Sequence, residues 1–181
     1  MSDIYHLSNI SVVVDNNILV DLFELGCMNL LFSAFESVTI PKVIYDDEIT
    51  LEIKDLLSNY DFQLGNLNTV IGLETYATLV NDIDYKRLSR YDRVAISIAK
   101  ENSYYCNSND KPVRKACERL GVKFTGILGV LGRAYVKNTI TRLQLFAFLD
   151  ELISDKTSCF IDIHLVEAFK VDIEIIKSEG V

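Results

Sequence analysis

The sequence has two histidines only, His6 and His164, and neither stands beside a plausible nucleophile, which argues against histidine-based acid–base catalysis. Its four cysteines, Cys27, Cys106, Cys117 and Cys159, are spread singly through apolar or helical contexts. Without the paired spacing of a zinc site they read as free buried thiols. Apolar runs are strand-sized and broken by charge, so no membrane-spanning helix and no membrane partner are expected. The opening residues Met1-Ser2-Asp3-Ile4-Tyr5-His6 lack the basic and apolar regions of a secretory signal, and a cytoplasmic location is the default expectation. No repeat or low-complexity tract interrupts the chain. Basic residues are scarce at first: residues 1–85 hold 2 against 14 acids, whereas residues 86–142 hold 13 against 4 and residues 143–181 hold 3 against 8. The net charge of −8 therefore conceals a basic band suited to a phosphate backbone.

What remains is a chain of 181 residues, nearly half of them apolar, enough for one domain with a sizeable core. Ser11-Val12-Val13-Val14 reads as a fully buried strand that ends on Asp15 and passes through Asn16-Asn17 into an amphipathic helix closed by Gly26. Cys27 to Phe35 has helical spacing and leads to a second strand, Ser37 to Pro41. From Lys42 to Leu57 the pattern suits one helix or two short ones, with Asp46-Asp47-Glu48 in the first turns. Thr69-Val70-Ile71-Gly72-Leu73 is the candidate third strand, and Glu74 to Val80 a short helix. Ser89-Arg90-Tyr91-Asp92 fits a capping box for a helix over 90–101. Ser103 to Asn107 is a fourth strand, followed by a turn whose Asp110 can cap a helix over 111–120, which Gly121 closes. Val122 to Thr125 is a short fifth strand; helices follow after Gly126, over Thr141 to Ile153, and around Ile163 to Phe169. Alternating strands and helices imply an α/β fold with a mostly parallel five-stranded sheet between helical layers.

Three acids occupy equivalent places: Asp15 after strand one, Asp92 in a first helical turn, Asp110 after strand four. Singly, each is explained as a cap or a first-turn acid favoured by the helix dipole. Together they are not. Right-handed crossovers in a parallel sheet bring these junctions to one edge, where the carboxylates repel unless protonated or neutralised by a cation. Oxygen ligands without paired Cys or His point to Mg²⁺ or Mn²⁺.

These residues carry a resemblance. Val14-Asp15-Asn16-Asn17-Ile18-Leu19, Leu88-Ser89-x-x-Asp92 with its Ala/Ile helix, Ser108-x-Asp110, and Gly121-Val122 with Gly126-Ile127-Leu128-Gly129 are similar, in order and spacing, to the motifs of PIN-domain ribonucleases. The similarity covers about residues 11–138, a PIN-like nuclease core spanning 1–138, and leaves 139–181 as a C-terminal helical extension. It implies a three-layer α/β/α fold with an acidic pocket that holds one or two Mg²⁺ or Mn²⁺ ions. It also implies cleavage of an RNA substrate, and for many bacterial and archaeal members the role of toxin in a toxin–antitoxin pair. Asp15, Asp92 and Asp110 become the metal ligands. The further acid of the family falls in Asp46-Asp47-Glu48: counting from Pro41 favours Asp47, the following Ile49 favours Glu48, and Val43 as anchor favours Asp46. Asp47, the choice from the proline, would orient a water. Asn17 and Ser108 would hydrogen-bond the carboxylates or a phosphate oxygen. Lys86, Arg87, Arg90, Arg93, Lys111 and Arg114 would contact the RNA backbone. The rival readings are a PIN-fold module that binds nucleic acid or protein without cutting, and a receiver-type phosphoacceptor. The latter would call for adjacent acids after strand one, an acceptor Asp ending strand three and a lysine after strand five, where this chain has Asn16-Asn17, Glu74 and Gly126. The apolar stripe Leu143, Leu145, Phe146, Phe148, Leu149, Leu152, Ile153 must pack on the domain itself, on a second copy in a homodimer, or on a protein antitoxin.

Overall fold

β1 (Ser11–Val14) lies at the centre of the sheet because its three valines are wholly buried from both faces, as a parallel interior strand requires. The computed structural model describes residues 3–154, 157–159 and 161–179. β2 (Ser37–Pro41) and then β3 (Gln63–Gly65) extend the sheet on one side of β1, and β4 (Tyr105–Asn107) and β5 (Phe124–Thr125) on the other. The order is β3-β2-β1-β4-β5, and every pairing is parallel. The chain thus winds outward in one direction from β1, returns, and winds outward in the other. The reversal falls between β1 and β4, the place where open α/β sheets leave a crevice at the strand ends.

The connections are helical. α1 (Asp3–His6) precedes the sheet, and α2 (Asn16–Glu24) and α3 (Asn29–Ala34) join β1 to β2. α4 (Lys42–Asp47) and α5 (Leu51–Leu57) join β2 to β3, so the 42–57 pattern resolves into two short helices. α6 (Val70–Asn81), a single 3₁₀ turn at Ile83–Tyr85 and α7 (Arg90–Asn102) lead to β4. α8 (Lys111–Leu120) joins β4 to β5, and α9 (Ile127–Val136), α10 (Arg142–Leu152) and α11 (Ile163–Glu179) follow. α7 packs along β1, β2 and β4, while α3 and α9 pack together away from it.

Two expectations are corrected. Thr69 to Leu73 is not a strand: Thr69 caps α6, its hydroxyl accepting from Gly72 N at 3.1 Å, and the apolar run continues as helix. The run Val70-Ile71-Gly72-Leu73 has strand composition, but α6 docks on α7 through Gly72, Thr75 and Leu79 and leaves Val70, Ile71 and Leu73 exposed. The third strand is Gln63–Gly65, mostly exposed at the sheet edge and too short to show alternation. The acids Asp46, Asp47 and Glu48 lie at the C-terminal end of α4, not in its first turns. That position opposes the helix dipole, so the dipole does not account for them.

The C-terminal helices pack on the same core. Leu145, Leu149 and Leu152 of α10 and Val166, Phe169 and Ile173 of α11 are buried, and both helices contact α9. Arg133 of α9 is also fully buried. Its guanidinium donates to Ala34 O at 2.8 Å, to Leu7 O at 3.0 Å and to Ile4 O, and lies over the Phe35 ring. Lys137, one turn on, donates to Ala34 O at 3.0 Å. Two cations thereby satisfy the orphan carbonyls at the C-terminus of α3, where the dipole favours positive charge. The cysteines are free, three of them buried and Cys159 half-buried.

Candidate metal centre

Asp15 follows directly on β1, and the β1/β4 ladder continues into it, Asp15 N donating to Asn107 O at 3.0 Å. Its backbone is extended and it caps α2, with Oδ1 accepting from Asn16 N at 2.8 Å. Oδ2 accepts from Asn17 Nδ2 at 2.7 Å and from Ser108 Oγ at 2.8 Å. Asn17 Nδ2 lies 3.1 Å from Ser108 Oγ as well, so the loops after β1 and β4 are locked together across the switch point. Asp92 is the third residue of α7, in a capping box with Ser89 whose backbone N donates to Asp92 Oδ2 at 2.6 Å. Asp110 stands at the N-cap of α8, yet its side chain makes no capping bond. Its carboxylate is left available, which the capping account of this residue does not explain.

The three carboxylates converge. One oxygen each from Asp15, Asp92 and Asp110 lies within 4.8 Å of the others, with Asp15 buried, Asp92 half-buried and Asp110 exposed. Burial pushes the Asp15 carboxyl up to about 7, against the hydrogen bond from Ser108, and the charges of Asp92 and Asp110 add to the rise. Asp110 is likewise raised, by burial and then by Asp92. Three convergent carboxylates, hard oxygen donors that repel one another when ionised, make a donor set fitted to a divalent metal.

Of the three candidates for a further acid, Asp46 pairs with Lys42 at 2.6 Å on the surface. Asp47 is exposed and accepts from Tyr91 Oη at 3.4 Å. Glu48 is half-buried, and its carboxyl is raised by burial, by Asp92 and by Asp47. Neither Asp47 nor Glu48 is within the close carboxylate group.

A family model described as a PIN domain matches residues 11–174, most of the chain. The chain belongs to the PIN-domain family. No curated protein matches the sequence. PIN domains are generally nucleases that use divalent metals, and the acidic triad of this PIN domain sits where its sheet topology places a site. The family match takes in α10 and most of α11, beyond the motifs that carry the resemblance.

Two residues of the centre escaped the motif reading. Asn109, the middle residue of Ser108-x-Asp110, donates from Nδ2 to Asp21 Oδ2 at 2.6 Å, accepts at Oδ1 from Ile127 N at 3.0 Å, and donates its backbone N to Asn17 Oδ1 at 3.3 Å. It ties the Ser108–Asp110 loop to α2 and to the N-terminus of α9. Asp21 is 4% exposed, and burial pushes its carboxyl up to about 6. Its sequence signal was a lone acid among Ile18, Leu19, Val20 and Leu22. Of the basic residues expected at RNA, Arg87 and Lys111 line a cleft of about 360 Å³ with Lys115 and Arg119. Lys86 and Arg90 are exposed, Arg93 is half-buried, and Arg114 lies over the Phe124 ring.

Proposed function

We propose that this PIN domain is a Mg²⁺- or Mn²⁺-dependent endoribonuclease. The observation that carries the reading is the convergence of Asp15, Asp92 and Asp110 at the β1/β4 switch point, on oxygens within 4.8 Å of one another. These three would hold the cation. Bound there, it would supply Lewis acidity toward a phosphodiester and offset most of the charge of the three carboxylates. Asn17 and Ser108 fix the orientation of the Asp15 carboxylate through its Oδ2, as partners one step removed from a metal do. Glu48 is the acid we assign to orienting the attacking water and taking its proton, because it is the least exposed of its cluster and the one raised by Asp92. Asp47 would act only through Tyr91. Lys111, the residue after Asp110, would meet the RNA backbone, with Arg87, Arg90, Arg93 and Arg114 more distant in sequence but within the same basic band.

The experiment is Mn²⁺-dependent cleavage of labelled single-stranded RNA by the purified chain. Asp15→Asn and Asp92→Asn should each lower the rate at least about 100-fold, more than loss of an outer partner. Unchanged cleavage in both excludes the centre, and a chain that binds Mn²⁺ in calorimetry without cutting is the non-cleaving module instead. The biological setting that fits is the toxin of a toxin–antitoxin pair, and a small antitoxin-like reading frame immediately upstream would support it.

A further inference from the structure

Beside the acidic cluster lies a groove of about 850 Å³. Its wall on the β5 side carries Tyr105 and Phe124, both half-buried, and the cations Lys111, Arg114 and Lys123. Each ring is paired with a cation: Arg114 lies 5.3 Å from the Phe124 centroid and Lys123 5.5 Å from that of Tyr105. Among the described residues none of these three cations forms an ion pair, whereas Arg119, Arg142 and Lys170 all do. Across from it, α11 contributes apolar Leu165 and Phe169 and the acid Asp172, and Asp162 just before α11 adds a second acid.

The two walls select an occupant. A polyanion is drawn to the β5 wall by three uncompensated cations and kept off the α11 wall by two acids, so its backbone is confined to one side. Its remaining bulk must then be apolar and flat enough to lie between aromatic rings and an aliphatic face. A nucleobase free of a pairing partner meets both demands, whereas a paired base has its faces already stacked. The groove also begins at the cut site, because Asn109 and Lys111, the two neighbours of Asp110, both line it.

We infer that this groove takes an unpaired base of single-stranded RNA flanking the scissile phosphate, with Phe124 and Tyr105 as its stacking surface and Lys111, Arg114 and Lys123 along its backbone. The identity of the polynucleotide rests on the ribonuclease reading above; the preference for an unpaired base rests on the groove.

The test is binding measured apart from cleavage: anisotropy of a short fluorescein-labelled oligouridylate, and of an abasic chain of equal length and charge, with the full chain in EDTA. The oligouridylate should bind about tenfold more tightly, the size of one base–aromatic stack. Phe124→Leu keeps bulk but removes the ring, and should bring the ratio of oligouridylate to abasic affinity close to one. Arg114→Gln should weaken both probes alike and lower the salt dependence. Equal binding of both probes by the unaltered chain, or a preference that survives Phe124→Leu, overturns the proposal. Crosslinking of 4-thiouridine RNA to the unaltered chain needs no variant: adducts on the groove residues support the site, and adducts confined elsewhere overturn it. A dimer in sedimentation that Phe124→Leu dissolves would make the groove a self-association face and also overturn it. If Mn²⁺-dependent cleavage is absent but the base preference is present, the ribonuclease reading falls and the groove stands; cleavage without the preference overturns the groove alone.

Discussion

Asp15 concentrates the conflict between stability and function in one side chain. It is 6% exposed, and its carboxyl is pushed up to about 7 from an ordinary value of 3.8. Asp21 is pushed up to about 6. Between pH 4 and 7 the folded chain therefore holds protons that the unfolded chain has released, so stability falls as pH rises through that window. In EDTA the melting temperature should be lower at pH 8 than at pH 5, Asp15 accounting for about 3 kcal/mol of the difference. Asp15→Asn should flatten the profile, and Mn²⁺ should restore the loss at pH 8; a metal-free melting temperature that climbs from pH 5 to pH 8 would contradict this assignment. The choice among the α4 acids is decided at the same scale. Glu48→Gln should slow Mn²⁺-dependent cleavage about 10- to 100-fold, and Asp47→Asn by less, since Asp47 is exposed and its carboxylate is engaged by Tyr91 at 3.4 Å. The reverse ranking would return the role to Asp47.

Elements bring these residues together through close approaches that glycine permits. Gly126, the N-cap of α9, passes so near the Ser108–Asp110 loop that an added Cβ would stand 2.6 Å from Asn109 Oδ1. Asn109 cannot withdraw without breaking its bonds to Asp21 and Ile127. Gly126→Ala should cost about 1–3 kcal/mol in urea unfolding and slow cleavage as well, because the strain falls on the Ser108–Asp110 turn. At this scale the sequence was readable where an element carried its own punctuation. Ser89-x-x-Asp92 marked the start of α7, and Gly121, with φ of 65°, closes α8 as a left-handed residue. It misled where composition and packing diverged. The Val70 to Leu73 run is strand-like in residue type, but a helix cap at Thr69 and the surface of α7 made it helical.

For the molecule as a whole, the buried Arg133 holds the N-terminal segment, α3 and α9 in one unit. It has no carboxylate partner among the described residues; three backbone carbonyls from Ile4, Leu7 and Ala34 take its donors instead. Arg133→Met would keep much of the bulk but leave those carbonyls without their donor, at a cost of about 2–4 kcal/mol in global unfolding. Because the hydrogen bonds of Arg133 go to Ile4, Leu7 and Ala34 and not to the acid loops, the Mn²⁺ affinity of the Arg133→Met chain should be unchanged while the fold persists; calorimetry alongside denaturation would check both. Loss of Mn²⁺ binding in a folded Arg133→Met chain would show that the α3–α9 unit sets the metal geometry.

The sequence by itself determined that Asp15, Asp92 and Asp110 stand at strand ends and helix starts, because strand composition, caps and turn residues act within a few positions along the chain; it misplaced Asp46, Asp47 and Glu48, which lack such punctuation. Asp15, Asp92 and Asp110 were legible in that way, as was the alternation that makes the sheet parallel. Only the tertiary structure decided what those acids meet. Parallel pairing of β1 with β4 sets Asp15 beside Ser108, 93 positions away, and its burial there lifts the carboxyl to about 7. The same holds for Asn109 on Asp21, Glu48 beside Asp92, and the ring-and-cation wall of Tyr105, Phe124, Arg114 and Lys123. Each depends on distances and desolvation between residues far apart in the chain, which local propensity does not encode.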